Sequence, residues 1–241
     1  MKLICSALLL YLSSFLAAHP VTIETSLWPG FTNADGTGAY FALARLVLPQ
    51  EQYPLVIKSN ELGRAWLAVK RGQADLTFGL TQADIRSFGL EASALAYDTD
   101  TIVAVYRPDR VQRADLTLPR IPSQQLGWEK SYNYAAALGI EAQGFEVQNP
   151  AHAIQLLLAG RISVYLAESS DLIAVAKQLQ AAGLQQQWLA DVPVYAGFSP
   201  NAQGKQLKAY WDQRVILLWQ NGQMQDFYQR HPALQRPDPV F

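Results

Sequence analysis

Apolar segments of two different spacings take turns along this chain, and that alternation limits the fold more than any single residue does. Residues 21–26 read as a strand and 39–48 as a helix. A second strand follows at 54–58, a second helix at 61–71 closed by Gly72, and a third strand at 74–80. A β-α-β-α-β order predicts a mostly parallel sheet covered on both faces. Residues 101–106 form another β-branched run, after which Pro108, Pro119 and Pro122 interrupt the pattern and mark a passage between units.

The alternation then resumes. Residues 125–128 read as a short strand, 132–138 as a helix and 145–148 as a strand. Asn149 caps a helix with Pro150 in its first turn, a favourable start, and that helix runs to Gly160. A strand at 162–167, a helix at 169–182 ended by Gly183 and a strand at 192–198 complete the series. Two amphipathic helices, divided near Asn221 and Gly222, close the chain. Residues 67–79 and 155–167 share one plan: an apolar helix, a glycine stop, a few polar-leaning residues and a buried strand. Any α/β protein contains such units, yet the match points to two similar lobes.

The first residues have a different character. Lys2 precedes an almost wholly apolar run from Leu3 to Leu16, ended by Ala17 and Ala18. That run is short of the roughly 20 apolar residues a spanning helix needs, and it fits a secretory leader covering 1–18. The expected mature protein is soluble and periplasmic. Cys5, the single cysteine, lies inside the leader, so the mature chain needs neither a disulfide nor a cysteine-held metal. The formal net charge is −1 with no basic face evident, which argues against a nucleic-acid partner.

The segment from Gly79 to Arg86 follows directly on the third strand. In open α/β sheets ligands collect past the carboxyl ends of strands. An arginine there offers a planar fork that matches a carboxylate at two points. The plainer alternative is a surface arginine neutralised by Asp84.

In these segments the chain resembles the extracellular solute-binding proteins of family 3, the periplasmic amino-acid-binding type. Trp28-Pro-Gly-Phe31 and Asp35-Gly36 resemble the family's opening turns. Residues 67–79 are similar to its helix–Gly–strand motif, 81–86 to its "TxTxER", 160–168 to its "GRVDAVVGD" and 221–228 to its closing "DGTLxKIYxKW". The resemblance implies an α/β, two-lobed type II periplasmic binding protein fold, each lobe a mostly parallel sheet flanked by helices, joined by two crossover strands at 101–107 and 192–198. Lobe one would comprise 19–103 plus 196–241, and lobe two 104–195.

The resemblance also implies a ligand site. Arg86 falls on the family's carboxylate-binding arginine, and Thr81 would add a hydroxyl and a backbone amide. Ser131 and Tyr132, at a helix start, would close on the same carboxylate. Glu168 falls on the acid that meets an α-amino group, or merely favours a helix start. Trp28, Phe31 and Tyr97 would clamp the ligand's side chain, whereas Trp66 reads as core and Trp128 as facing either way. Departures include 128–133 in place of "xxGTT", Ala92 to Tyr97 in place of "FSxPYY" and Ser163 in place of Asp.

No nucleophile elbow, phosphate loop or His pair at ligand spacing is present in the sequence, and His19, His152 and His231 read as surface residues. The expected function is capture of a small anionic or zwitterionic solute by a monomer that needs no cofactor and serves an ABC-type uptake system. A sensor for a membrane signalling protein is the alternative. A periplasmic cyclohexadienyl-dehydratase-like enzyme, with Glu168 as general acid, is a lesser one.

Overall fold

The computed structural model describes residues 19–118, 121, 125–130, 132–235 and 237. The expected leader therefore lies outside the described residues. Three parallel strands open the fold: β1 (Val21–Thr25), β2 (Leu55–Ser59) and β3 (Leu76–Leu80), with β1 between the other two. Helices α1 (Ala39–Val47) and α2 (Leu62–Lys70) connect them. Each helix buries one stripe, Phe41, Leu43, Ala44 and Val47 on α1 and Leu62, Ala65, Trp66 and Val69 on α2. The two stripes belong to separate apolar cores on the two faces of this sheet. Trp66 is core, as its helical position suggested.

The same unit recurs in the middle of the chain. Strands β6 (Leu126–Glu129), β7 (Phe145–Val147) and β8 (Val164–Glu168) are parallel, with β6 between the others. Helix α5 (Pro150–Leu158) leads into β8 as α2 leads into β3. The short helix α4 (Tyr134–Leu138) follows β6, and two further cores flank this second sheet. The quasi-repeat is thus a structural repeat, and Trp128 faces the interior beside Ile140 and Val164.

Two long strands, β5 (Asp98–Tyr106) and β9 (Gln185–Phe198), join the halves. They pair antiparallel, from Asp98 opposite Val194 to Tyr106 opposite Gln185. β9 pairs with β3 at its far end and β5 pairs with β8, so the order runs β2-β1-β3-β9-β5-β8-β6-β7, with the two-residue β4 (Glu91–Ala92) beside β9. Both strands begin before their sequence patterns suggest. The Gln185-Gln-Gln run has little strand preference of its own and is held by the ladder to β5. The segment 169–182 begins as a 3₁₀ helix (Ser169–Val175) before becoming α6 (Ala176–Ala181). Helices α7 (Ala202–Gln220) and α8 (Gln223–Arg230) return to the first half and pack Trp211, Leu218 and Phe227 against its core. Among the described residues, no helix is long and apolar enough to cross a membrane.

Candidate functional site

Residues from both halves enclose a cavity of about 530 Å³. The first half contributes the turn after β1. Trp28 and Thr32 form a β-bridge there, the Thr32 Oγ1 accepts from the Trp28 amide at 2.9 Å, and it donates to the Ser26 carbonyl at 2.7 Å. This tight turn holds Trp28, Pro29, Gly30 and Phe31 at the cavity wall. Behind it Tyr40 lies 5.2 Å from Phe31 and 4.8 Å from Tyr97, ring centre to ring centre. Gly79 completes this wall with φ +77°, and Trp28 lies over it so closely that a Cβ would fall 2.6 Å from the indole Cη2.

The second half contributes Tyr132, Glu168, Ser170 and Asp171, while the joining strand β5 contributes Asp98 to Asp100. Tyr132 packs against apolar cores on both sides of the gap, and its hydroxyl accepts from the Trp28 indole N–H at 3.2 Å. A second hollow of about 680 Å³ adjoins the first and shares Trp28, Pro29, Tyr132 and Asp171.

The expected site residues thus have mixed fates. Trp28, Phe31, Tyr132 and Glu168 meet at one cavity. Ser131 lies outside the described residues. Tyr97 does not line the cavity: it is buried in the core, where its hydroxyl accepts from the Gly79 amide at 2.8 Å. Its bulk supports the wall from behind.

Thr81 and Arg86 also depart from expectation. Thr81 caps helix α3 (Gln82–Phe88) in a reciprocal capping box with Asp84. Its amide donates to Asp84 Oδ2 at 2.9 Å, and its hydroxyl, which donates to the same oxygen at 2.6 Å, accepts from the Asp84 amide. The two groups expected to serve a ligand are therefore engaged within the chain. Starting the helix here turns Ala83, Asp84 and Ile85 inward and leaves Arg86 exposed. Arg86 lines neither inter-lobe hollow and has no hydrogen bond or ion pair among the described residues. Thr81→Ala is expected to cost about 1 kcal/mol of stability through the lost cap. Arg86→Ala should change stability by less than about 0.5 kcal/mol. Denaturant midpoints measure both, and the converse ranking would mean that α3 is wrongly placed.

Glu168 sits at the cavity, yet its carboxylate caps the 3₁₀ helix. It accepts from the Ser169 hydroxyl at 3.1 Å, from the Ser170 amide at 2.7 Å and from the Ser170 hydroxyl. Three further acids surround it that the sequence pattern did not single out. Asp98 and Asp100 alternate along β5 and so share one strand face, a signal readable only once the strand start is known. Asp98 accepts from the Tyr40 hydroxyl at 2.9 Å and from the Thr99 and Gln235 amides, each at 2.8 Å. Burial nevertheless pushes its carboxyl up to about 6. Burial, then repulsion from Glu168 and Glu129, pushes Asp171 up to about 7. Burial, reinforced by Glu168, also holds Asp100 well above the usual carboxylate range. No Arg, Lys or His lines this cavity among the described residues.

No protein-family model and no curated protein sequence matches this chain. Solved structures do. A histidine kinase sensor domain with similarity to periplasmic binding proteins matches at TM-score 0.67 and 14% identity, covering 91% of this chain and 99% of that one. A substrate-binding protein of an ABC uptake transporter from Streptococcus pneumoniae, with bound histidine, matches at TM-score 0.65 and 18% identity over 94% and 98%. An ancestral arginine-binding protein bound to glutamine matches at TM-score 0.62 and 16% identity over 88% and 97%. At these identities the likeness is one of backbone architecture, and with the paired sheets and their two joining strands it establishes that this chain has the two-lobed fold of the type II periplasmic binding proteins.

Proposed function

We propose that the protein is a periplasmic solute-binding protein that traps one amino-acid-sized solute between its lobes and presents it to an ABC-type permease. The observation that carries this reading is the cavity of about 530 Å³ walled by both halves and bridged by the Trp28–Tyr132 hydrogen bond. A solute that touches both walls favours the closed arrangement over an open one, which is how binding becomes a signal to a partner. The lobes we assign are 19–103 plus 196–241 and 104–195, with 1–18 removed on export. The likeness to transporter substrate-binding proteins supports this role.

A sensing role for a membrane signalling partner uses the same cavity, and the match to a histidine kinase sensor domain favours keeping it as the second reading. The dehydratase reading is weaker because its acid, Glu168, is engaged in capping a helix. The test is a thermal-shift screen of amino acids, amines and small carboxylates, followed by small-angle scattering with each hit. A solute at 100 times its Kd adds about 2.7 kcal/mol of stability, and its binding should shrink the radius of gyration. A hit that is turned over to a new compound would replace the binding role with an enzymatic one.

A further inference from the structure

The cavity's charge is one-sided in a way its fold does not require. Four carboxylates, Asp98, Asp100, Glu168 and Asp171, face one enclosed space with no cationic side chain among the described lining residues. Two of them are accounted for by the chain itself: Asp98 anchors Tyr40 and Gln235, and Glu168 caps a helix. The other two are not. Neither Asp100 nor Asp171 has a side-chain hydrogen bond or an ion pair among the described residues. Asp100 is half-buried and contributes to the cavity wall, so its carboxylate is open to whatever fills that space. A half-buried carboxylate set among other acids with no partner is costly, because neither its partial desolvation nor the repulsion is compensated. Such a group persists where a ligand supplies the missing contact.

We propose that this cavity takes a small organic cation, a protonated amine or quaternary ammonium group held by Asp100 and Asp171 against the rings of Trp28, Phe31 and Tyr132. The proposal rests on the solute-binding reading and gives its substrate class. Aromatic faces attract a cation through their quadrupole, by about 0.5–2 kcal/mol per well-placed ring. A desolvated carboxylate supplies the charge-assisted contact. A bare metal ion fits less well, because among the described residues no group of three or more His, Cys, Asp or Glu side chains converges to hold one. The adjoining hollow has the same sign, with Glu61, Glu129, Glu146 and Asp171 against Lys130 as the one cationic side chain among its described lining residues. An acidic approach of that kind concentrates cations at the mouth of a site. The arginine clasp expected for a ligand carboxylate is missing from the cavity, so the anionic end of an amino acid has no described partner there.

The test measures binding of putrescine, spermidine and choline beside glutamate and succinate by calorimetry at pH 8, on the full mature chain. At least one cation is expected to bind and both net-anionic probes to fail. Asp100→Asn and Asp171→Asn should each weaken the bound cation by about 10- to 150-fold, the loss of one charge-assisted contact. Each variant should fold at least as stably as the parent, since a neutral amide removes a buried charge. Binding of glutamate or succinate with no cation bound would overturn the cation assignment and leave the solute-binding role standing. So would a bound cation whose affinity both variants leave unchanged. Failure of all five probes, while the wider screen yields an uncharged or zwitterionic ligand, would also overturn it. Failure of the wider screen as well would overturn the solute-binding reading itself.

Discussion

Gly79→Val is expected to melt roughly 4–24 °C below the parent protein and to lose ligand binding. Gly79 holds φ +77°, a left-handed backbone that a β-branched residue adopts only at a cost of about 1–3 kcal/mol. The first atom of any side chain there would also lie 2.6 Å from Trp28 Cη2, inside the contact distance that real Cβ atoms keep. The indole must move, and with it goes the hydrogen bond that its N–H makes to Tyr132 across the gap. A shifted backbone further threatens the bond from the Gly79 amide to the Tyr97 hydroxyl, and an unpaired buried group adds about 1–3 kcal/mol. A total of about 2–6 kcal/mol converts to the stated melting shift at roughly 2–4 °C per kcal/mol for a chain of this size. Scanning calorimetry reads the first effect and titration calorimetry the second. A variant with the parent's melting temperature would show that the indole does not rest on Gly79.

Without ligand, the protein should be more stable near pH 4.5 than near pH 8. Asp98 and Asp171 titrate at about 6 and about 7 in the fold, against roughly 4 in an unfolded chain. Between those values the folded state keeps protons that the unfolded state releases, so stability falls as pH rises. The penalty is absent below about pH 4 and complete above about pH 7. Burial raises Asp100, Asp84 and Glu129 in the same direction, whereas the neutral preference of partly buried His231 opposes them. Asp98, itself 4% exposed, is raised by about two pKa units, on the order of 3 kcal/mol and roughly 6–12 °C in melting temperature. A bound cation should reverse the trend, because it favours ionised Asp98, Asp100 and Asp171. Its affinity should therefore rise between pH 5 and pH 8, with protons released on binding. Melting curves across this range, with and without the cation, test both halves. A ligand-free protein that gains stability toward pH 8 would mean that these carboxyls are not enclosed as described.

Much of the architecture was legible in linear order. Helix stops at glycine, caps such as Asn149 and apolar spacing are local signals, set by backbone geometry within a few residues. They located the repeated helix–Gly–strand unit, and its recurrence in space is the two-lobed fold. The misses also have local causes. The Gln185-Gln-Gln segment becomes strand only because β5 offers it a ladder. The segment from Thr81 to Arg86 matched a ligand-binding pattern in spacing, but the Thr81–Asp84 box sets the helix phase and sends the guanidinium outward.

Residue spacing along the chain was enough to establish the alternating elements, the two similar sheets and the aromatic turn from Trp28 to Phe31, because each depends on neighbours a few positions apart. The charge of the cavity was not readable in this way. Asp98 and Asp100 on a joining strand, Glu168 and Asp171 after β8, and Tyr132 from the far lobe are spread across 74 positions of sequence numbering, from 98 to 171. They become one site only when β5 and β9 pair and set the lobes face to face. Burial then turns ordinary surface acids into carboxylates that lack a counter-charge, and burial is a property of the packed molecule.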